Sequence, residues 1–436
     1  MKHGSNLFGE PVYVVDGCRT PFLKAKTWGN FSASDLAVAA GQALLNRQSF
    51  MPTAVDEVIL GCVMPSTSEI NIARLVALRL GCGNYVPAYT VMRNCASGMQ
   101  AIDHGAMQIA SGRSNLVLVG GTEAMSRAPV LYNKDMVHWL GCWSAAKTLA
   151  QKIKLLAALR PNFLKPVIGL LCGLHDPFIN MNMGQTAEEL VYQFNLTREQ
   201  LDKFAYESHH KALLAQKEEC MHEIIPIIDH SGKVYTQDEG IRADINMEKL
   251  SRLAPVFDKK YGVVTAGNSS QITDGACMLL LASATAVKDY KLPILGRIVD
   301  VQWSGLDPRI MGLGPVYAMT RILQRQKLNL HSLDSIEINE AFAAQVLACE
   351  SALQNVDFCR NNLGLHHTLG EIETNKLNPH GGAIAIGHPI GASGARIVLH
   401  LLMTLKQQQG MCGMASICIG GGQGGAILVE RKESVL

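Results

Sequence analysis

The 436-residue chain has almost no imbalance of charge: 39 Lys and Arg stand against 37 Asp and Glu, a formal net charge of +2. That excludes a long-range electrostatic pull on nucleic acid as its main business. Charged residues make up only 17% and hydrophobic ones 48%, which excludes disorder and supplies one or two sizeable cores. No run of about 18 uncharged apolar residues occurs, so no membrane-spanning helix is expected. The start, Met1 to Glu10, lacks the basic and apolar stretches of a signal or transit peptide, and Glu433 to Leu436 carries no receptor-read address. Also missing is any C-x-x-C pair or Cys/His ligand spacing. The 12 cysteines stand singly from Cys18 to Cys418, so reduced thiols are expected, with no structural metal and no disulfide frame, in a cytoplasmic setting.

What is present is alternation. Short apolar runs at Val58 to Leu60, Leu116 to Val119, Ser335 to Ile338 and Ala415 to Ile419 predict strands, with helix-patterned stretches between them. This pattern predicts an α/β fold whose sheets are covered on both faces. An order also recurs. Ala96-Ser97-Gly98 opens a helical stretch ending near Gly112, then Leu116 to Val119 leads into Gly120-Gly121. Ala392-Ser393-Gly394 opens another ending near Gly410, then Ala415 to Ile419 leads into Gly420-Gly421. Matching order of four elements predicts duplicated halves with a site between them.

Between about Arg127 and Pro255 the texture changes to longer helical patterns and more charge. Residues 136–175 hold five Lys/Arg and no Asp or Glu. Helical spacing puts Leu149, Ile153 and Leu156 on one side and Lys147, Gln151 and Lys154 on the other. Such an insertion either packs its apolar face on its own domain or offers a basic amphipathic docking surface. Further on, Thr197 and Gln200 predict a capping box that starts a helix.

Four segments carry chemistry. In Asn94-Cys95-Ala96-Ser97-Gly98 a cysteine meets small residues at a strand-to-helix junction, where helix-end N–H groups lower a thiol pKa and free backbone donors serve an oxyanion. The glycine-lined loop from Asn378 to Gly394 contains His388, a candidate general base for a thiol, and His380, a hydrogen-bonding loop residue. Its glycine spacing fits neither phosphate-loop template. In Cys418-Ile419-Gly420-Gly421-Gly422 a second cysteine sits at a strand end against glycines that permit close approach. Asn339-Glu340-Ala341-Phe342 offers an amide where a strand ends.

Together with Gly120-Gly121-Thr122-Glu123-Ala124-Met125-Ser126 and Gly387-His388-Pro389, these motifs resemble the thiolase family, in its order and over nearly the whole chain. The resemblance implies a five-layered α-β-α-β-α core of two similar halves, with a loop domain inserted in the first. The halves then fall at 1–126 plus 256–290 and at 291–436, with the loop domain at 127–255. It implies CoA-dependent cleavage of a 3-ketoacyl-CoA to acetyl-CoA and a shortened acyl-CoA, the last step of fatty-acid β-oxidation, through an acyl-Cys95 intermediate. By resemblance His388 activates Cys95, and Cys418 protonates the departing carbanion and later deprotonates CoA. Oxyanion donors come from His388 with a water held by Asn339, and from the N–H groups of Cys95 and Gly420. Ser270 matches the serine on the pantetheine arm, within a segment that makes Asn268 a further CoA-binding candidate, and Met183 matches an acyl-pocket residue. Glu123 matches a structural position. Short-chain acetoacetyl-CoA thiolases carry a His where this chain has Asn182, a departure that favours a degradative enzyme.

No cofactor beyond CoA as co-substrate is implied, and no metal. Partners implied are 3-ketoacyl-CoA, CoA, and a second copy in a homodimer or dimer of dimers. Segment 136–175 is similar in placement and character to that of the β-subunit of the fatty-acid oxidation trifunctional complex, which implies an α-subunit with hydratase and dehydrogenase activities and a peripheral place on an inner membrane. The rivals are a ketoacyl synthase, which lacks a Cys at the position of Cys418, an acetyl-CoA C-acetyltransferase working in the Claisen direction, and a non-catalytic thiolase-like lipid carrier.

Overall fold

Alternating and fully apolar runs become the strands of one mixed sheet in the computed structural model, which describes residues 9–26 and 28–431. The chain ends on which the leader and address expectations rest, 1–8 and 432–436, lie outside the described residues. In chain order the sheet strands are β1 (Val12–Arg19), β2 (Glu57–Gly61), β3 (Ala88–Val91), β4 (Leu116–Ala124), β5 (Thr273–Ala282), β6 (Gly296–Gly305), β7 (Ser335–Ile338), β8 (Cys412–Ile419) and β9 (Gln423–Glu430). In space they run β7-β8-β9-β6-β1-β5-β4-β2-β3, with the two-residue strand Leu23–Lys24 beside β5.

The helices that matter for the site are α1 (Ala33–Leu45), α2 (Ser97–Ala110), α3 (Lys134–Ala145), α4 (Leu149–Ala158), α5 (Met183–Phe194), α6 (Arg198–Lys217), α7 (Gly314–Gln326), α8 (Ala343–Gln354) and α9 (Ile390–Gln408). Helix α6 starts at Thr197 with the expected Gln200 capping box.

The duplication is visible in the pairing. In the first half β4 lies parallel to β2 and antiparallel to β5, which lies antiparallel to β1. In the second, β8 lies parallel to β7 and antiparallel to β9, which lies antiparallel to β6. The halves join where β1 pairs with β6 through Val12 to Val14. Three apolar cores fill the gaps between layers: α1 on the outside of the first half, α2 with α9 between the two halves of the sheet, and α7 with α8 outside the second. That is the five-layered order the resemblance implies. Burying apolar side chains on both faces of each strand is the main stabilising term.

The central layer brings the motifs together because glycine lets it close. A Cβ on Gly121 would overlap the carbonyl oxygen of Gly391, and one on Gly98 would stand 2.8 Å from the same atom. Strand β4 and the first turns of α2 and α9 therefore meet backbone to backbone. Glu123, fully buried, fastens this junction: its carboxylate accepts from the N–H groups of Val63, Met64 and Gly391 at 3.0 Å each.

The stretch between β4 and β5 contributes no strand to the main sheet. Within it α3 and α4 form a hairpin whose apolar side stays bare: Leu149 is 75% exposed, Ile153 57% and Leu156 54%. Of residues 136–175 only Met136 is buried. The apolar side of α4 thus does not pack on its own domain. No helix among the described residues is long and apolar enough to cross a membrane.

Candidate active site

Cys95 sits one residue ahead of the helix N-cap Ala96, after Asn94 has turned the chain with φ of +43°. It opens on a cavity of about 480 Å³ lined from the core by Val63, Asn94, Cys95, Pro308, Ile390, Gly420 and Gly421. Met183 and residues 172–178 of the insertion close the other side. The chain turns after Cys418 through Gly421 and Gly422, at φ of +90° and +79°, which presents the Gly420 N–H to the Cys95 sulfur. Asn94 holds the next peptide of this turn by donating from Nδ2 to Gly420 O at 2.8 Å. Met183, the first residue of α5, lays its thioether on Gly420, so that Sδ lies 2.9 Å from where a side chain there would begin.

The thiol itself departs from expectation. Burial pushes Cys95 up from the ordinary cysteine value, and the Gly420 N–H only opposes this. The helix-end N–H groups do not produce a resting thiolate, because desolvation outweighs them. A separate base is needed. Cys418, at the end of β8 and 1% exposed, is pushed well above the ordinary cysteine value, first by burial, then by the neighbouring Cys95 sulfur and Cys349. The two thiols from opposite ends of the chain therefore share one site.

His388 precedes α9. Its Nδ1 lies 2.6 Å from Ser393 Oγ, and the Ser393 hydroxyl donates to Pro389 O at 3.0 Å. With the hydroxyl proton committed there, the imidazole proton belongs on Nδ1 and the lone pair on Nε2. Nε2 makes no hydrogen bond to the protein. Burial, and then the charge of Arg396, bring His388 down to about 4, so it is neutral at ordinary pH. The buried Asn339 carboxamide likewise has no protein partner at either atom, as a group reserved for a ligand or water would.

One loop laces these parts. Asn268 O accepts from Ala343 N, Ser270 N donates to Ala341 O, and Gln271 O accepts from His388 N. Asn268 itself is a correction: its side chain bonds Asp202, Val263 O and Thr265 N, and it is fully buried. It holds the loop, and with both amide protons spent and no surface exposed it does not meet CoA. Ser270, half-buried on the same loop, remains available. Asn182 caps α5 with Gln185: its Oδ1 accepts from Gln185 N, and its own N–H donates to Gln185 Oε1. His380 bonds His400, the loop role expected of it.

Sequence reasoning missed Ser393, Asn94 and a smaller hollow beside Gly267 and Gln271 lined by His209, Arg242 and Lys249. Arg242 makes no ion pair among the described residues, and a cation beside the Ser270 loop suits a phosphate. The signal for Ser393 was its place one helical turn past Pro389. Arg242 lay in charge-rich insertion with no pattern to mark it. Among the described residues no cluster of three or more His, Cys, Asp or Glu is placed to hold a metal ion.

Comparison with known families decides what the arrangement belongs to. The family model described as thiolase, N-terminal domain, matches residues 12–285, and that of thiolase, C-terminal domain, matches residues 292–431. The chain belongs to the thiolase family. It is similar to the mitochondrial trifunctional enzyme subunit beta of Homo sapiens, with 36% identity over 96% of this chain and 88% of that one. It is also similar to a probable acetyl-CoA acyltransferase of Staphylococcus aureus, at 38% over 97% and 99%. Among solved structures, human mitochondrial 3-ketoacyl-CoA thiolase in complex with CoA superposes with a TM-score of 0.84 at 36% identity, covering 97% of this chain and 98% of that one. Bacillus anthracis acetyl-CoA acetyltransferase gives 0.82 at 36%, covering 97% and 98%. The fold and the enzyme class expected from the motifs, a thiolase-type acyltransferase, both stand.

Proposed function

We propose that this thiolase cleaves 3-ketoacyl-CoA with CoA, releasing acetyl-CoA and a shortened acyl-CoA, as the closing step of β-oxidation. The observation that carries it is the placing of Cys95, on the cavity wall under the Gly420 N–H, beside a second buried thiol, Cys418. His388 Nε2 takes the Cys95 proton and the sulfur attacks the keto carbon. The bond between that carbon and the next breaks, and Cys418 gives its proton to the carbanion of acetyl-CoA. CoA then enters and passes its thiol proton to Cys418, and its sulfur attacks the acyl-Cys95 thioester. Acyl-CoA leaves, and His388 returns the proton to Cys95. Each proton is restored, so the cycle needs no further cofactor. Oxyanions are met by the Gly420 and Cys95 N–H groups, and by protonated His388 with a water on Asn339.

A cavity of about 480 Å³ walled by Leu174, Pro177 and Phe178 supports an acyl chain longer than that of acetoacetyl-CoA. A chain-length series of 3-ketoacyl-CoAs is expected to show cleavage well beyond four carbons. A sharp preference for the four-carbon substrate would overturn the degradative direction in favour of acetoacetyl-CoA synthesis.

The same reading places the enzyme at an inner-membrane surface with an α-subunit, docked through its bare, basic hairpin. The expected segment 136–175 divides in the structure: α3 and α4 stand off the body, while Cys172 to His175 line the cavity. Removing 134–158 alone is therefore expected to leave cleavage of short substrates largely intact and to abolish co-sedimentation with anionic liposomes. Undiminished co-sedimentation would sink the docking role.

A further inference from the structure

The two N–H groups that face the Cys95 sulfur come from different halves of the molecule, that of Cys95 from the first and that of Gly420 from the second. Their spacing therefore depends on what ties the halves together. The Cys95 side is stiff by itself: Ser97 Oγ accepts from Arg93 N at 2.9 Å and donates to Asn94 O at 2.8 Å. The Gly420 side is a turn through Gly421 and Gly422, and glycine leaves a backbone many conformations besides the one seen. From its own half the turn is held by Leu306 N, which donates to Gly422 O at 2.9 Å.

Consecutive residues of the first half grip both ends of that turn. Asn94 reaches Gly420 O, and Arg93 donates from Nη1 to Gln423 Oε1 at 3.0 Å, at the first residue of β9. The Arg93 guanidinium also lies over the Trp303 indole, its carbon 4.2 Å from the ring centroid. Trp303 and Gln423 share one face of the sheet, because Trp303 pairs with Gly425 and Gly305 with Gln423. The indole is itself fixed. It covers Gly425, where a Cβ would stand 2.4 Å from the ring, and its Nε1 donates at 2.8 Å to the buried carboxylate of Asp103 on α2. Asp103, Trp303, Arg93 and Gln423 thus alternate between the halves and cross their boundary three times.

We propose that Arg93 is a positioning residue for the thiolase reaction, a brace between the halves that holds the Gly420 N–H at the spacing from the Cys95 N–H that an oxyanion on the acyl-Cys95 carbon requires. This rests on the proposed acyl-Cys95 chemistry. A planar, forked guanidinium suits the task because it stacks on an indole and donates along its edge at once, which an ammonium cannot do. The two N–H groups count most when the carbonyl oxygen becomes an anion, so loosening the brace costs kcat and spares substrate binding.

The test is steady-state cleavage of a 3-ketoacyl-CoA by CoA, beside the rate at which a plain acyl-CoA acylates Cys95, both per Cys95 titrated with iodoacetamide. Arg93→Met loses the stack and the donor. It is expected to lower kcat and the acylation rate alike, by about 10- to 100-fold, with KM within about twofold of wild type. Gln423→Leu should do the same, and the double variant should lose no more than the worse single one, because the two side chains form one link. Gln423→Glu keeps an acceptor oxygen and should hold kcat near wild type. A merely structural role predicts a lower melting temperature with unchanged kcat per titrated Cys95. An unchanged kcat in folded Arg93→Met, or losses that multiply in the double variant, overturns the proposal. Should Arg93→Met fail to fold, Gln423 decides: a fall in Gln423→Leu alone supports the brace, and equal rates in Gln423→Leu and Gln423→Glu refute it. Cys95→Ala separates the two levels. Near-normal turnover there removes the acyl-Cys95 chemistry itself, whereas a dead Cys95→Ala beside a fully active Arg93→Met removes only the brace.

Discussion

Replacing Cys95 with alanine is expected to lower CoA-dependent cleavage of a 3-ketoacyl-CoA by on the order of 10⁵-fold. The size follows from what the sulfur does. It is the atom that bonds the keto carbon, and it lies under the Gly420 N–H on the cavity wall. Alanine keeps the N–H donors and the cavity, so binding survives and kcat falls. Mass spectrometry of enzyme quenched with substrate should show an acyl adduct on Cys95 in the wild type and none in the variant. Near-normal turnover in Cys95→Ala would end the mechanism.

Cys418→Ala is expected to cost on the order of 10³-fold in cleavage, with a different signature. Cys418 supplies a proton to a carbanion, a strong base that does not leave unaided. A CoA thiolate is a far weaker base and leaves without help. The variant should therefore still become acylated at Cys95 when given a plain acyl-CoA, yet fail to break the C–C bond of a 3-ketoacyl-CoA. Burial holds Cys418 protonated far above its ordinary range, so it rests as the acid this step needs. Equal loss of both half-reactions would mean that Cys418 merely supports Cys95. Oxidation of either thiol should also stop turnover.

How far the site could be read beforehand depends on the kind of force involved. Strand β7 has the bounds expected, Ser335 to Ile338, because its apolar residues sit between turn signals. Strand β4 runs on to Ala124, through Gly120-Gly121 and past the Leu116 to Val119 expected for it. Those glycines pair with Met278 and Cys277 in the sheet, and Gly121 is bare because Gly391 O occupies the space a side chain would need. Likewise α9 begins at Ile390, two residues early, since Pro389 caps it and Gly387, at φ of +110°, has already ended the preceding turn. Glycine is ambiguous in one dimension between a turn and a close approach.

The sequence by itself determined which groups react. Cys95, Cys418, His388 and Asn339 each stand in a short motif whose backbone demands and chemistry are local, and the order of motifs brought the family with it. Tertiary structure alone decided their states. The absence of paired cysteines said that the thiols are free; it did not say that desolvation raises both Cys95 and Cys418, or that burial keeps His388 neutral with its Nδ1 against Ser393. It also did not say that Asn268 is spent on its own loop, or that Leu149 and Ile153 are left facing outward. Proton affinity and exposure are set by how much water the folded chain removes and by charges brought near from distant parts of it. No local pattern encodes those distances.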